Sequence, residues 1–343
     1  MSGKEKQSPR VEGSLYPRTR NPNDERKRMD FFWMTFESIA MLLVIGCVGF
    51  IILSRKVLPE SAFSFLSPLS LDIALPCLVF GNIISNFQPL AFPGWWLLPL
   101  WWTGFTVISS GAAFCFALVS HREVRKEFIV SLMYPNGIFF PLAILTGIFG
   151  NDSSHVVTLF LFVLFYPSFL FSTCHLFWKK PNQPVRWNRI FNTMLIVTLL
   201  ATLVRLMDLQ VYIPAFVLGG LKMVGSMTVP LLMLIIGGNI YVDFKNRRTI
   251  LVRELILFLC VKNIAYPVIA LGVLYLLHPP FMIALMILLQ SAVPPVTAIP
   301  VIVEKEGGKR DVVNQFLFAS ALFSLITIPM AMVLLGRLYP GHF

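Results

Sequence analysis

Met133-Tyr134-Pro135-Asn136-Gly137-Ile138-Phe139-Phe140-Pro141 interrupts an apolar stretch long enough to cross a bilayer, and Gln290-Ser291-Ala292-Val293-Pro294-Pro295-Val296-Thr297-Ala298-Ile299-Pro300 does the same about half a chain later. Each proline removes a backbone donor and clashes with the preceding helical turn. Residues before proline avoid the helical region, so Tyr134 and Phe140 favour extended backbone, and Gly137 permits further departure. Lipid cannot satisfy the freed carbonyls. Unwound backbone therefore survives at that depth only inside protein or beside a cavity. Paired interrupted segments in corresponding positions of two halves point to a transporter's binding site.

Working outward, the whole chain of 343 residues is 56% hydrophobic and 13% charged, with a mean hydropathy of +0.75. That composition defines a membrane protein. The five cysteines (Cys47, Cys77, Cys115, Cys174, Cys260) lie in apolar runs without paired spacing, so neither a disulfide framework nor a metal site is indicated. No His-x-x-x-His or Gly-x-Ser-x-Gly pattern occurs, and no enzyme or cofactor is expected. The net charge of +11 reflects Lys and Arg gathered between spans. No basic stripe with interleaved aromatics occurs, so nucleic acid is not an expected partner.

Residues 1–30 are polar, with eight Lys/Arg and five Asp/Glu, and read as a mobile tail rather than a signal peptide. Apolar runs then predict ten spans. The first five are Phe32–Leu53, Phe65–Ile84, Trp95–Val119, Phe128–Phe149 and Val156–Phe177. The second five are Ile190–Leu206, Tyr212–Tyr241, Ile250–Leu277, Phe281–Val303 and Val312–Leu335. The expected organisation is a tail (1–30), a five-span unit (31–177), a cytosolic connector (178–189) and a second five-span unit (190–337). Sixteen Lys/Arg fall in connectors after odd-numbered spans and only Arg205 and Arg337 after even-numbered ones. That bias places both termini on the non-cytosolic side, against the basic residues of the tail. Asn151-Asp152-Ser153, a glycosylation acceptor pattern, falls on the same side but close to the membrane. Endoplasmic reticulum and plasma membrane are both open, because Pro340-Gly341-His342-Phe343 carries no retrieval signal.

The two units echo one another. Pro230 lies 154 residues beyond Pro76, and Pro300 lies 159 beyond Pro141. An odd number of spans per unit gives the halves opposite orientations, the inverted-repeat plan with a binding site near the midplane. Gly81-Asn82-Ile83 and Gly238-Asn239-Ile240 look alike but stand at different distances from their prolines, and are read as coincidence.

Within the broken segments, the Asn136 carboxamide can donate to and accept from a ligand, and Gln290, Ser291 and Thr297 add polar groups. If the segments cross, half-helix N-termini converge from opposite directions, and their N–H groups suit a carboxylate or similar anion. The alternative is a pair of kinked helices packed for structural reasons. Intramembrane charges add Asp72, Lys222 and Lys262. In one reading Lys262 or Lys222 balances an anion while Asp72 exchanges a proton. In the other they snorkel or form a buried pair. Trp95, Trp96, Trp101 and Trp102 are read as an interfacial belt, Met223, Met227 and Met233 as packing, and 304–311 as a solvated turn.

Several motifs now resemble the auxin efflux carrier family of membrane transporters, which includes the plant PIN carriers and bacterial and fungal relatives. Ala292-Val293-Pro294-Pro295 through Ile299-Pro300, then Glu304-Lys305-Glu306, then Ser324-Leu325-Ile326-Thr327-Ile328-Pro329 look like its closing pair of spans. Lys262 with Pro267 is similar to the basic residue and proline of its eighth span, and Asp72-Ile73-Ala74-Leu75-Pro76 to its second-span motif. Pro135-Asn136 to Pro141-Leu142-Ala143 resembles the fungal form of the fourth-span crossover more than the plant form. The resemblance covers most of residues 35–337. It implies ten spans in two inverted repeats and crossing broken helices around a site for small organic anions. Pro135, Asn136, Pro141, Pro295 and Pro300 would belong to that crossover. The basic tail and the short connector between spans five and six depart from the family pattern.

The expected fold is thus an all-α membrane protein with ten transmembrane helices in two inverted five-helix repeats, spans four and nine being broken crossover helices. The candidate site comprises Pro135, Asn136, Gly137, Pro141, Gln290, Pro294, Pro295, Thr297 and Pro300, with Asp72 and Lys262 as intramembrane charges. The expected function is secondary transport of a small organic anion by alternating access. The expected partners are that anion and the lipid bilayer, with a homodimer left open. The alternative is a non-transporting membrane sensor that keeps the fold.

Overall fold

The structure, a computed structural model, describes residues 22–90, 93–150, 153–178, 193–245 and 251–340. Residues 1–21 of the expected tail, residues 179–189 of the expected connector, and Asn151 and Asp152 of the acceptor pattern lie outside them. The described residues are helical, without a strand.

In chain order the helices are α1 (Pro22–Ser54), α2 (Glu60–Pro68), α3 (Leu75–Asn86), α4 (Leu98–Phe116), α5 (Arg125–Met133), α6 (Phe139–Phe149), α7 (Ser154–Phe162) and α8 (Tyr166–Thr173). They continue with α9 (Thr193–Leu206), α10 (Ala215–Ser226), α11 (Thr228–Lys245), α12 (Val252–Leu259), α13 (Tyr266–Leu277), α14 (Phe281–Ala292), α15 (Ile299–Lys305) and α16 (Arg310–Leu338).

Among the described residues, seven helical runs are long and apolar enough to cross a membrane: Met29–Ser54, Leu69–Asn86, Trp95–Val119, Ser154–Trp178, Ala215–Val242, Val252–Leu277 and Arg310–Leu338. Three shorter apolar helices, Phe139–Phe149, Thr193–Leu206 and Phe281–Ala292, fall in the stretches expected as spans four, six and nine. Prolines shorten the fourth and ninth. α1 starts at Pro22, inside the stretch read as tail. Proline suits the first helical position, so the tail's last residues extend the helix.

Two wide π-helical turns, Leu69–Ala74 between α2 and α3 and Cys260–Ala265 between α12 and α13, each end two residues before a proline. Pro76 and Pro267 cannot donate to the carbonyls four residues back, Asp72 and Asn263, and the opened turn accommodates the missing bonds. These turns carry the intramembrane charges Asp72 and Lys262.

Packing is set by where backbones approach. α1 lies along α11, and also against α6 and α16. A Cβ at Gly49 would run into the Leu234 carbonyl, and one at Gly237 into the Gly46 carbonyl. Glycine is therefore required where α1 and α11 meet, the small-residue packing expected in membranes. α3 packs on α9 and α10, where a Cβ at Gly225 would meet the Leu78 backbone at 2.6 Å. A second core joins α5, α12, α15 and α16 around Phe128, Phe258 and Phe316, the last two stacked at 4.4 Å. The tryptophans divide: Trp96 is 57% exposed, but Trp102 is 4% exposed and packs edge-on against Tyr166 and Phe169. Trp96 lies in the turn before α4, whereas Trp102 sits one turn inside α4 on its core-facing side.

Candidate functional site

α5 ends at Met133 because Pro135 cannot continue its ladder, and helix resumes at Phe139 as α6. α14 ends at Ala292 before Pro294 and Pro295, and resumes at Ile299 as α15. The two unwound segments meet. Asn136 N donates to the Pro294 carbonyl at 2.7 Å and Val296 N donates to the Tyr134 carbonyl at 2.8 Å, an antiparallel bridge centred on Pro135 and Pro295. The two bonds are reciprocal: each segment gives the N–H that follows its central proline and accepts at the carbonyl that precedes it. Buried backbone that proline has stripped of helical partners is satisfied across the crossing.

Side chains complete the junction. Asn136 is 0% exposed, and its Oδ1 accepts the Phe139 N–H, the first of α6, at 3.3 Å. Its Nδ2 is buried without a partner. Gln290, also 0% exposed, donates from Nε2 to the Gly137 carbonyl at 2.7 Å, while its Oε1 has no partner. A Cβ at Gly137 would strike that Oε1, so glycine is needed where the carboxamide approaches. The Tyr166 hydroxyl donates to the Pro135 carbonyl, and the Tyr134 hydroxyl pairs with Thr173 Oγ1 at 2.8 Å. Pro141 and Pro300 are buried in the first turns of α6 and α15, where a missing N–H costs little.

Lys262 is 1% exposed, and its Nζ donates to the Ser291 carbonyl at 3.1 Å and lies 5.2 Å from the Tyr266 ring centroid. In an unbroken helix the Ser291 carbonyl would receive the N–H of residue 295, which is proline. The ammonium replaces that donor at the negative end of α14. Beside it, Asn263 and Ser320 exchange hydrogen bonds, Nδ2 to carbonyl at 3.1 Å and Oγ to Oδ1 at 2.8 Å. The Tyr266 hydroxyl donates to the Ser109 carbonyl at 2.9 Å.

A cavity of about 200 Å³ opens against the crossing, between α1, α11 and α16. Asn136, Pro294, Pro295 and Thr297 form its crossover side. Met233, expected only to pack, is part of its wall. A larger groove of about 320 Å³ lies between α4 and α13 and touches the crossover region at Ser291, but its lining holds no unpartnered buried polar atom. The smaller cavity is the better candidate because Asn136 Nδ2 is one. Asp72 is exposed on its π turn and does not line this cavity, and half-buried Lys222 packs near Gly81.

Among the candidate residues, Pro135, Asn136, Gly137, Gln290, Pro294, Pro295 and Thr297 gather at the crossing and its cavity, with Lys262 bound to the adjoining helix end. Tyr166 and the hydroxyl of Tyr134 escaped sequence reading, which gave Tyr134 only its non-helical backbone. A tyrosine in an apolar run does signal a buried hydroxyl in need of an acceptor, but nothing in its spacing names which one.

Among the described residues, seven apolar helical runs and two broken helices joined through their unwound segments fit a multi-pass integral membrane protein. The family model described as a membrane transport protein matches residues 34–192 and again residues 182–332. The chain belongs to this family, that of the auxin efflux carriers, whose members are transporters and not enzymes. No curated protein matches the chain.

Proposed function

We propose that the chain is a secondary transporter that moves a small organic anion by alternating access, with its site at the crossing of the two broken helices. The reciprocal pairing of Asn136 N with Pro294 O and of Val296 N with Tyr134 O carries this reading. It supports ten spans arranged as two inverted five-helix repeats, 31–177 and 190–337, because a two-fold relation between halves produces such a matched pair of bonds. Both termini then lie on the non-cytosolic face, in the endoplasmic reticulum or plasma membrane.

Each residue has a role in this scheme. Asn136 Nδ2 donates to the substrate's acidic group while Oδ1 holds the start of α6. The N-terminus of α6 adds favourable partial positive charge. Gln290 and Gly137 fix the crossing in register, and Pro141, Pro295 and Pro300 keep the backbone from closing into continuous helix. Lys262 supplies a positive charge at the end of α14, and Asp72 serves charge balance on the second span.

The test is counterflow of labelled carboxylates in liposomes containing the purified protein, beside Asn136→Ala. Counterflow abolished by the substitution in a folded variant is the expected result. Folded wild-type protein that binds a carboxylate saturably without exchanging it would favour a membrane sensor instead.

A further inference from the structure

We propose that the groove between α4 and α13 is a lipid site, which seats one acyl chain of a membrane phospholipid. That seat is separate from the crossover cavity and does not depend on transport. The groove holds about 320 Å³, within the roughly 300–1,000 Å³ usual for small-molecule sites. Its two main walls belong to apolar runs long enough to cross a membrane, Trp95–Val119 and Val252–Leu277. Leu100, Ile108, Ile269 and Leu277 of its lining are exposed, so its open side faces the bilayer.

The lining selects hydrocarbon. None of its residues is charged. The Tyr266 hydroxyl is engaged with the Ser109 carbonyl, and Ser291 Oγ donates to the Leu288 carbonyl at 2.7 Å, so a polar ligand would lose its water and gain few partners. Gly104 shapes the groove: a Cβ there would meet nothing within 4 Å. Helices that pack against one another leave no gap of that size, so the groove is shaped for an occupant. Lipid tails are as apolar as the walls, and no hydrophobic force holds one there. A concave wall holds a tail by touching it on several sides, which a flat helix face cannot do. Along α4 the groove runs from Leu97 to Ala112, roughly 22 Å by helical rise. That exceeds the ~15 Å half-thickness of the hydrocarbon core, so one chain can lie along it. A sterol fits less well, because its hydroxyl would come to rest among Leu97, Leu277 and Pro279 at the membrane-face end.

Two glycines of α4 separate this groove from ordinary lipid-facing surface. Gly104 lines it and Gly111 does not, and a Cβ at either position meets nothing within 4 Å. Leucine at Gly104 therefore puts a side chain where the tail would lie, whereas leucine at Gly111 only adds to an exposed face. Both changes replace glycine by a better helix former, so both variants should fold.

The experiment is photolabelling of the full-length protein in liposomes with phosphatidylcholine carrying a diazirine in one acyl chain, mapped by peptide mass spectrometry. In wild type the label should concentrate on residues 97–112 and 266–279, the two walls of the groove. It should fall roughly tenfold in Gly104→Leu, where a retained chain would overpack the groove, and stay unchanged in Gly111→Leu. Gly104→Ala, with a smaller fall, takes its place if the leucine variant does not fold. Label spread evenly over wild-type protein, with α9 and α10 marked as strongly as α4 and α13, would overturn the seat and leave only general solvation by lipid. Unchanged labelling of the groove in folded Gly104→Leu would overturn it as well. Loss of the label to added cholesterol, but not to the same amount of unlabelled phosphatidylcholine, would assign the groove to a sterol and overturn the acyl chain.

Discussion

Replacing Gly137 by alanine tests the crossing at its tightest point. The new methyl would fall 3.1 Å from Gln290 Cδ and Nε2, and closer still to Oε1. Gln290 is fully buried and cannot swing into solvent, so its carboxamide must turn away from the segment it binds. Turning breaks the 2.7 Å bond to the Gly137 carbonyl. That leaves a buried donor and a buried carbonyl unsatisfied, at about 1–3 kcal/mol each. The low end applies because the offending group is the far end of a flexible side chain, so about 2 kcal/mol is expected in total. A double-mutant cycle isolates the cause. With alanine at Gln290 the obstacle is gone, and Gly137→Ala should then cost no more than roughly 0.5 kcal/mol, giving a coupling of about 1.5–2 kcal/mol. Denaturant titration in mixed micelles, followed by tryptophan fluorescence, measures all four corners. Additive costs within about 0.5 kcal/mol would refute the contact between Gly137 and Gln290.

Four further predictions address packing and charge. Gly237→Ala should destabilise the fold by about 1–3 kcal/mol, because the Gly46 carbonyl is backbone and cannot rotate aside. Gly272→Ala on α13, where a Cβ meets nothing within 4 Å, should instead stabilise by roughly 0.5–1 kcal/mol; thermal unfolding of the pair decides. Asn263→Ala should cost about 0.6–1.7 kcal/mol, with Ser320→Ala adding little on top, since the Ser320 hydroxyl donates to Asn263 Oδ1. Lys262→Met keeps the stem but removes the donor from the Ser291 carbonyl, so counterflow should fall roughly tenfold or more in a protein that still folds. Unaltered counterflow would confine Lys262 to a packing role.

Much of this architecture was legible because proline acts through covalent geometry, which tertiary context cannot override. Pro135, Pro294 and Pro295 broke helices where the sequence said they would, whereas Gly137, read only as freeing the backbone, also makes room for the Gln290 carboxamide. Pairing was not legible. That Asn136 N meets Pro294 O depends on how distant segments pass in space, and no local spacing carries that information. The same holds for Lys262. The sequence left it open between a functional charge and a snorkelling or structural one, and its acceptor became apparent only once Ser291 was seen at a helix end lacking its N–H donor. Asp72 remains apart, exposed on a π turn that the sequence signalled only through Pro76. Trp102 was misread because a cluster of tryptophans suggests an interface, whereas helical rotation sends one of two neighbours inward.

Cys47 lines the crossover cavity from α1, and its free thiol offers the most direct measurement. A variant retaining Cys47 but lacking Cys77, Cys115, Cys174 and Cys260 would be labelled with a methanethiosulfonate reagent in liposomes, with and without the carboxylate that exchanges fastest. A substrate seated at the crossing must slow that modification in proportion to occupancy, and Asn136→Ala must abolish the protection. Labelling of Cys47 at the same rate with saturating substrate would place the transport site elsewhere and contradict the account.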